Sequence, residues 1–113
     1  MDTEVYKALS DENRLRILNI LLDRDLCVCE IESVLDMSQS NVSRHLNKLK
    51  YAGMVDCRKK SQWVFYGISE NFKSSYPHLC EQLKRDFVSD GQLNSERKKL
   101  ESSEIRLKKC KET

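Results

Sequence analysis

Apolar residues recur at intervals of three and four at Leu15, Leu18, Leu21 and Leu22, again at Val28, Ile31 and Leu35, and a third time at Val42, Leu46 and Leu49. That is the period of helices buried along one side. The spacing predicts a short helix over 2–9, a helix from the SDEN stretch (10–13) to about residue 22, a short helix over 28–35 and a helix over 39–52. Ser10 is expected to cap the second of these, with Asp11 and Glu12 suiting the positive end of its dipole. DMS (36–38) is a tight polar break, from which Ser38 caps the fourth helix; Gly53 ends it. After Gly53 the period falls to two. MVDCRKK (54–60) and QWVFYGIS (62–69) read as strands joined by a basic turn at 59–61. Residues 70–89 return to helix, with Tyr76, Cys80, Leu83 and Phe87 on one face, and Pro77 fits only within a first turn. Beyond Gly91 the chain is charged and sparsely apolar, either a solvated helix or a mobile tail.

The order helix, helix, short helix, tight turn, helix, hairpin, helix makes the fold class mainly α with a β-hairpin, a winged helix-turn-helix. Residues 1–90 are expected to form the DNA-binding and dimerisation domain, and 91–113 a charged tail. With 113 residues the core is modest, and such domains often gain stability by dimerising. The apolar N- and C-terminal helices are the natural surface for a homodimer.

The helix over 39–52 carries the strongest chemical signal. Val42, Leu46 and Leu49 share one side of its wheel; Ser40, Ser43, Arg44 and Asn47 share the other. The outward set is short and hydrogen-bonding where an ordinary solvated face would show Glu and Lys. A major groove is read by Arg at guanine and by Asn or Gln at adenine. Residues near the start of such a helix, here Gln39, Ser40, Asn41, Ser43 and Arg44, reach base edges. Asn47 and Lys48 continue that face, and His45, nearer the packed flank, is expected as a phosphate contact or a half-buried hydrogen-bonded residue. Arg58, Lys59 and Lys60 at the hairpin tip would touch phosphates or an adjacent minor groove. Trp63 and Tyr66 are expected as strand packing. A two-fold dimer would set two such helices about one DNA turn apart, ~34 Å, on a palindromic operator of double-stranded DNA.

Charge sharpens this picture. The net charge is only +2, but residues 38–62 carry Arg44, Lys48, Lys50, Arg58, Lys59 and Lys60 against the single acid Asp56. A local basic segment binds phosphate even in a nearly neutral chain. Residues 23–36 are the reverse, with five acids and Arg24 surrounding the LCVCE stretch, a setting that favours a cation. Hydrophobic content is 39% and charged content 34%, with no apolar run near the ~20 residues of a membrane span and no signal-peptide pattern. The expected compartment is the cytoplasm, where thiols stay reduced and five cysteines are not a disulfide framework.

Cys27 and Cys29 pose a geometric problem, since a regular helix turns them to nearly opposite sides. If Cys27 lies at or before the N-cap, its dihedrals need not be helical, and both sulfurs can converge on one ion. A helix N-terminus also lowers a thiol pKa. Two thiolates suit trivalent arsenic or antimony, Cd(II), Pb(II) and, less selectively, Zn(II). Binding there would strain the first helix of the helix-turn-helix. The alternative is that both cysteines serve as small apolar residues.

The stretches LSDENRLRILNILL (9–22), LCVCEI with SQSNVSRHL (26–31 and 38–46) and RKKSQWVFYGIS (58–69) together resemble the ArsR/SmtB family of bacterial metalloregulatory repressors, over roughly residues 4–88. The resemblance implies a dimeric winged-helix repressor released from operator DNA when metal binds, with LCVC similar to the arsenic- and cadmium-responsive branch, where these cysteines are inducer ligands. Two positions depart from the pattern. Arsenic sensors of this type often carry a third cysteine where Glu32 stands here, and a wing glycine is replaced by Ser61 or a neighbour. The zinc branch uses Asp/His pairs on the last helix, where His78 stands alone. A third ligand would come from Cys110 or from solvent. Cys57 is expected to face the core and Cys80 to pack.

The function expected is a soft-metal-responsive repressor with arsenite first among inducers. The alternative is a winged-helix repressor whose thiols sense oxidants or persulfide. A protein-interaction module without DNA binding fits the polar face of 39–47 poorly. No nucleophile–base set or Gly-rich phosphate loop suggests an enzyme.

Overall fold

A computed structural model describes residues 2–102. Its helices are α1 (Thr3–Ala8), α2 (Glu12–Leu21), α3 (Val28–Leu35), α4 (Gln39–Tyr51), α5 (Glu70–Ser75), α6 (Pro77–Ser89) and α7 (Gly91–Ser102), with strands β1 (Val55–Lys60) and β2 (Trp63–Ile68) between α4 and α5. Mostly helical with one antiparallel hairpin, this is the winged helix-turn-helix arrangement. α3 and α4 form the helix-turn-helix and the hairpin is the wing.

Local chemistry explains most boundaries. Ser38 caps α4, its hydroxyl accepting the Asn41 N–H at 3.3 Å. The cap of α2 is Asp11, not Ser10: its carboxylate accepts the N–H groups of Asn13 and Arg14 at 2.8 and 3.2 Å. A carboxylate at this position also suits the dipole. Ser10 instead donates to the Lys7 carbonyl at 2.6 Å. The helix expected over 70–89 is two helices, broken at Tyr76 (φ −130°, ψ 55°), with Pro77 opening α6. Proline there lacks only an N–H that would be unpaired anyway.

The strands pair in register from Val55 opposite Ile68 to Lys60 opposite Trp63. The turn is Ser61–Gln62, and Ser61 takes φ 58°, the left-handed conformation that a wing glycine would adopt at less cost. The segment before α3 adds one isolated antiparallel rung on the other edge of β2. Leu26 and Tyr66 exchange both backbone hydrogen bonds, at 2.9 and 2.8 Å. A Cβ on Gly67 in β2 would displace the Asp25 carboxylate lying over the strand.

The core is one cluster that draws on every element but α6's outer faces. Ile17, Ile31, Val42, Leu49 and Met54 are fully buried. Burying the α4 trio Val42, Leu46 and Leu49 contributes about 1.5–3 kcal/mol per side chain, which holds its opposite face outward. Residues 91–102 are neither a detached tail nor a fully solvated helix. α7 packs on α2, α3 and α6, burying Leu93 and Leu100. Asn19 donates to the Leu93 carbonyl at 2.8 Å, and Arg16 pairs with Glu96 at 2.7 Å while also donating to the Leu35 carbonyl that ends α3. No helix among the described residues is long and apolar enough to cross a membrane.

Candidate DNA-reading face and thiol site

α4 presents Gln39, Ser40, Asn41, Arg44, Asn47 and Lys48 to solvent, with Ser43 half-buried beside them. Arg44 is pre-oriented by a 3.0 Å hydrogen bond to the Asn41 side chain. Such a face can offer guanidinium, amide and hydroxyl groups to base edges and phosphates. His45 does not belong to it. The ring is 1% exposed and its Nδ1 lies 3.4 Å from the Arg14 guanidinium, so it faces the α1–α2 corner. Burial foremost, with the charges of Arg44, Arg14 and Lys48, outweighs Asp11 and lowers its pKa below the usual histidine range.

The wing divides its charges. Lys59 and Lys60 are exposed beside the turn, and the Lys60 ammonium lies 5.7 Å from the centre of the Phe65 ring. Arg58, expected with them at the tip, is instead paired with Asp25 at 2.5 Å and Asp56 at 3.2 Å. It ties the wing to the segment leading into α3 rather than presenting a free cation. Cys57, expected in the core, is exposed, and Lys50 donates to its sulfur at 3.4 Å. A two-stranded sheet has no second layer to cover that face. Cys80 packs against the core as expected, and burial pushes its thiol pKa up.

Cys27 is the N-cap of α3, in extended conformation (φ −84°, ψ 166°), and is 4% exposed. That is the condition under which two sulfurs with one residue between them can share an ion. Its N–H donates to the buried Glu30 carboxylate at 2.9 Å, half of a capping box. Cys29, in the first turn of α3, is half-buried. Among the described residues no three His, Cys, Asp or Glu side chains gather as a metal group. Cys110, the expected third ligand, lies outside the described residues. In its reduced form the Cys27–Cys29 donor set suits a soft ion in kind, two sulfurs at a helix N-terminus, with the remaining donor to be supplied from beyond them.

Arg14, Asp25, Leu26 and Glu30 complete these sites and were not evident from the sequence. Only Gly67 gave a signal, since a glycine inside a strand often marks close approach of another segment.

Residues 11–56 match the model of the bacterial regulatory protein, arsR family. The arsenical resistance operon repressor of Escherichia coli is 42% identical over 83 residues, covering 73% of this chain and 71% of that protein. The chain belongs to the arsR family. It is also 48% identical over 64 residues to the cadmium resistance transcriptional regulatory protein CadC of Listeria innocua, a match covering 56% of this chain and 54% of that regulator, so it spans about half of that relative. The solved structure of HlyU from Vibrio cholerae superposes with a TM-score of 0.61 at 41% identity, covering 72% of this chain and 88% of HlyU. The two curated relatives are named as transcription regulators, and HlyU shares the fold described above.

Proposed function

We propose that this chain is a dimeric cytoplasmic repressor that holds operator DNA through α4 and the wing, and releases it when a soft metal or metalloid binds at Cys27 and Cys29. Arsenite is first among the inducers, with antimonite, Cd(II) and Pb(II) behind it. The DNA contacts are Gln39, Ser40, Asn41, Ser43, Arg44, Asn47, Lys48, Lys59 and Lys60. Cys110 is the third ligand, or solvent takes that place.

One observation carries the reading: Cys27 caps α3, and the residue before it is hydrogen-bonded to the wing strand in both directions. An ion drawing the Cys27 sulfur toward Cys29 would pull on the start of α3, on the Leu26–Tyr66 rung and on the Asp25–Arg58 pair together. A coupling of about 1–3 kcal/mol through those contacts changes DNA affinity roughly five- to hundredfold. Dimerisation is supported by α6, where Leu79, Cys80 and Leu83 are only partly covered and Val88 is 65% exposed.

The test is DNA binding by Cys27→Ser and Cys29→Ser. Both variants should hold operator with wild-type affinity, and neither should release it with arsenite. Release unchanged in both would remove the sensing site and leave the DNA reading intact. X-ray absorption on the arsenite-loaded protein then counts two sulfurs or three.

A second reading keeps the DNA binding and changes the signal: the paired thiols Cys27 and Cys29 respond to oxidants or persulfide. Titrating the reduced protein with arsenite, Cd(II) and peroxide while following DNA release separates the two.

A further inference from the structure

His45 sits in the middle of the reading helix and turns inward, while Arg44, Asn47 and Lys48 around it are exposed. The group it meets, Arg14, is a junction. The Arg14 Nε donates to the Ala8 carbonyl at 2.7 Å and its Nη2 to the Lys7 carbonyl at 3.2 Å, so it satisfies carbonyls at the end of α1. Its own N–H is held by Asp11, the cap of α2, and its Nη1 lies 3.8 Å from that carboxylate. The same Nη1 faces His45 Nδ1 at 3.4 Å. One guanidinium thus joins the end of α1, the start of α2 and the middle of α4. A guanidinium has donors and no acceptor. Nδ1 must therefore offer a lone pair, which makes the ring neutral with its proton on Nε2. Protonation would put the second N–H on Nδ1, donor against donor at the Arg14 guanidinium, while Nε2 is buried without a hydrogen-bond partner.

We propose that His45 is a positioning residue: as a neutral imidazole accepting from Arg14 it fixes the recognition helix to the α1–α2 corner, and protonating it weakens DNA binding. The inference rests on α4 being the DNA-reading helix and adds to that reading a pH-sensitive joint behind it.

The surrounding charges set the direction. Arg14 on α2, and Arg44 and Lys48 on α4 itself, oppose a positive ring; Asp11 favours one. Beside this junction, Glu4 and Lys7 of α1 line a groove of about 340 Å³ with Arg14, Asn47, Lys48 and Tyr51. Burial and the three cations prevail, so the folded-state pKa lies below the unfolded one. In the window between them the unfolded chain binds more protons. Stability therefore rises with pH there and is lost as pH falls below about 6.5. Asp11 does not titrate in that window. Burial opposes its charge, but the N–H groups of Arg14 and Asn13, with His45 and Arg14, hold it below the usual carboxylate range.

The experiment measures affinity for a duplex selected from a random pool by the full-length wild-type protein, at fixed ionic strength, between pH 7.5 and 5.5. Wild-type affinity should fall by up to about tenfold, the ceiling for a ring whose pKa is no higher than about 6.5. His45→Asn places an amide oxygen near the Nδ1 position and does not titrate. It should bind within about threefold of wild type at pH 7.5 and lose the histidine-dependent fall. His45→Ala should bind weakly across the range. A His45→Asn slope equal to wild type, or an Asn variant as weak as Ala, overturns the proposal. The free protein supplies an arm independent of DNA. Imidazole nitrogen shifts should show the Nε2–H tautomer for His45; an Nδ1–H tautomer overturns the proposal. Failure of the wild type to retain any duplex, with those shifts as expected, would fault the DNA reading and leave the joint standing.

Discussion

The two helices of the helix-turn-helix end alike and begin differently. α3 closes with Asp36 in the left-handed region (φ 55°) and Met37 donating to the Glu32 carbonyl at 3.3 Å. α4 closes with Gly53 at φ 77° and Met54 donating to the Leu49 carbonyl at 3.0 Å. Both are six-to-one closures with a methionine folding back on the core. At their starts, α4 has the exposed hydroxyl of Ser38, which has little chemistry beyond a hydrogen bond. α3 has the buried thiol of Cys27 and relies on Glu30 to satisfy the Cys27 N–H. The end that must hold its shape against DNA is capped by an inert group. The end proposed to change shape is capped by a group with a strong preference for soft ions. The contrast suggests that sensing and reading are separated by one helix, and that α3 is the lever between them.

Removing each cap tests that contrast. The larger effect is expected at α3. Glu30→Ala strips a buried N–H of its acceptor and should lower unfolding free energy by about 1–3 kcal/mol, read by urea denaturation of reduced protein. Because the loss falls beside the Leu26–Tyr66 rung, it should also weaken DNA binding in the absence of any inducer. Ser38→Ala should cost about 1 kcal/mol and leave arsenite-driven release at its wild-type ratio. A Ser38 variant that altered the release ratio would mean that the start of α4, too, belongs to the sensing machinery.

How much of this was legible beforehand follows from the range of the interactions. α4 was read correctly from local period: Val42, Leu46 and Leu49 mark its packed side unaided, and Ser38 and Gly53 mark its ends; the same period did not show the break at Tyr76 between α5 and α6. Cys27 at the N-cap of α3 was legible as a geometric condition, because only there could the paired sulfurs converge. What local pattern missed was decided by partners far along the chain. Arg58 looks like a wing-tip cation until Asp25, 33 residues away, takes it. His45 looks half-outward until Arg14, 31 residues away, claims the ring. α7 looks solvated because its anchors, Arg16 to Glu96 and Asn19 to the Leu93 carbonyl, lie 80 and 74 residues apart and contribute almost nothing to an apolar period. Cys57 was misread for a different reason: alternation assigns two faces to a strand but does not say whether anything covers the second.

The smallest expected effect tests the likeness of the two helix ends. Asp36 and Gly53 occupy equivalent left-handed positions, and a left-handed backbone costs an ordinary residue roughly 1–2 kcal/mol relative to glycine, with Asp at the lenient end. Asp36→Gly should therefore stabilise the fold by a few tenths to about 1 kcal/mol, after the extra unfolded-state entropy of glycine is set against the relieved backbone. It also removes a negative charge from the negative end of the α3 dipole, which adds to the gain. Gly53→Ala is the mirror. A Cβ at Gly53 has no atom within 4 Å, so its cost, about 1 kcal/mol, is backbone alone. Equal and opposite shifts in the denaturation midpoint would establish that both ends are governed by the same torsional constraint. A loss of stability in Asp36→Gly would instead assign the Asp36 side chain a contact that backbone geometry does not supply, and would set the end of α3 apart from that of α4 just as its beginning is set apart.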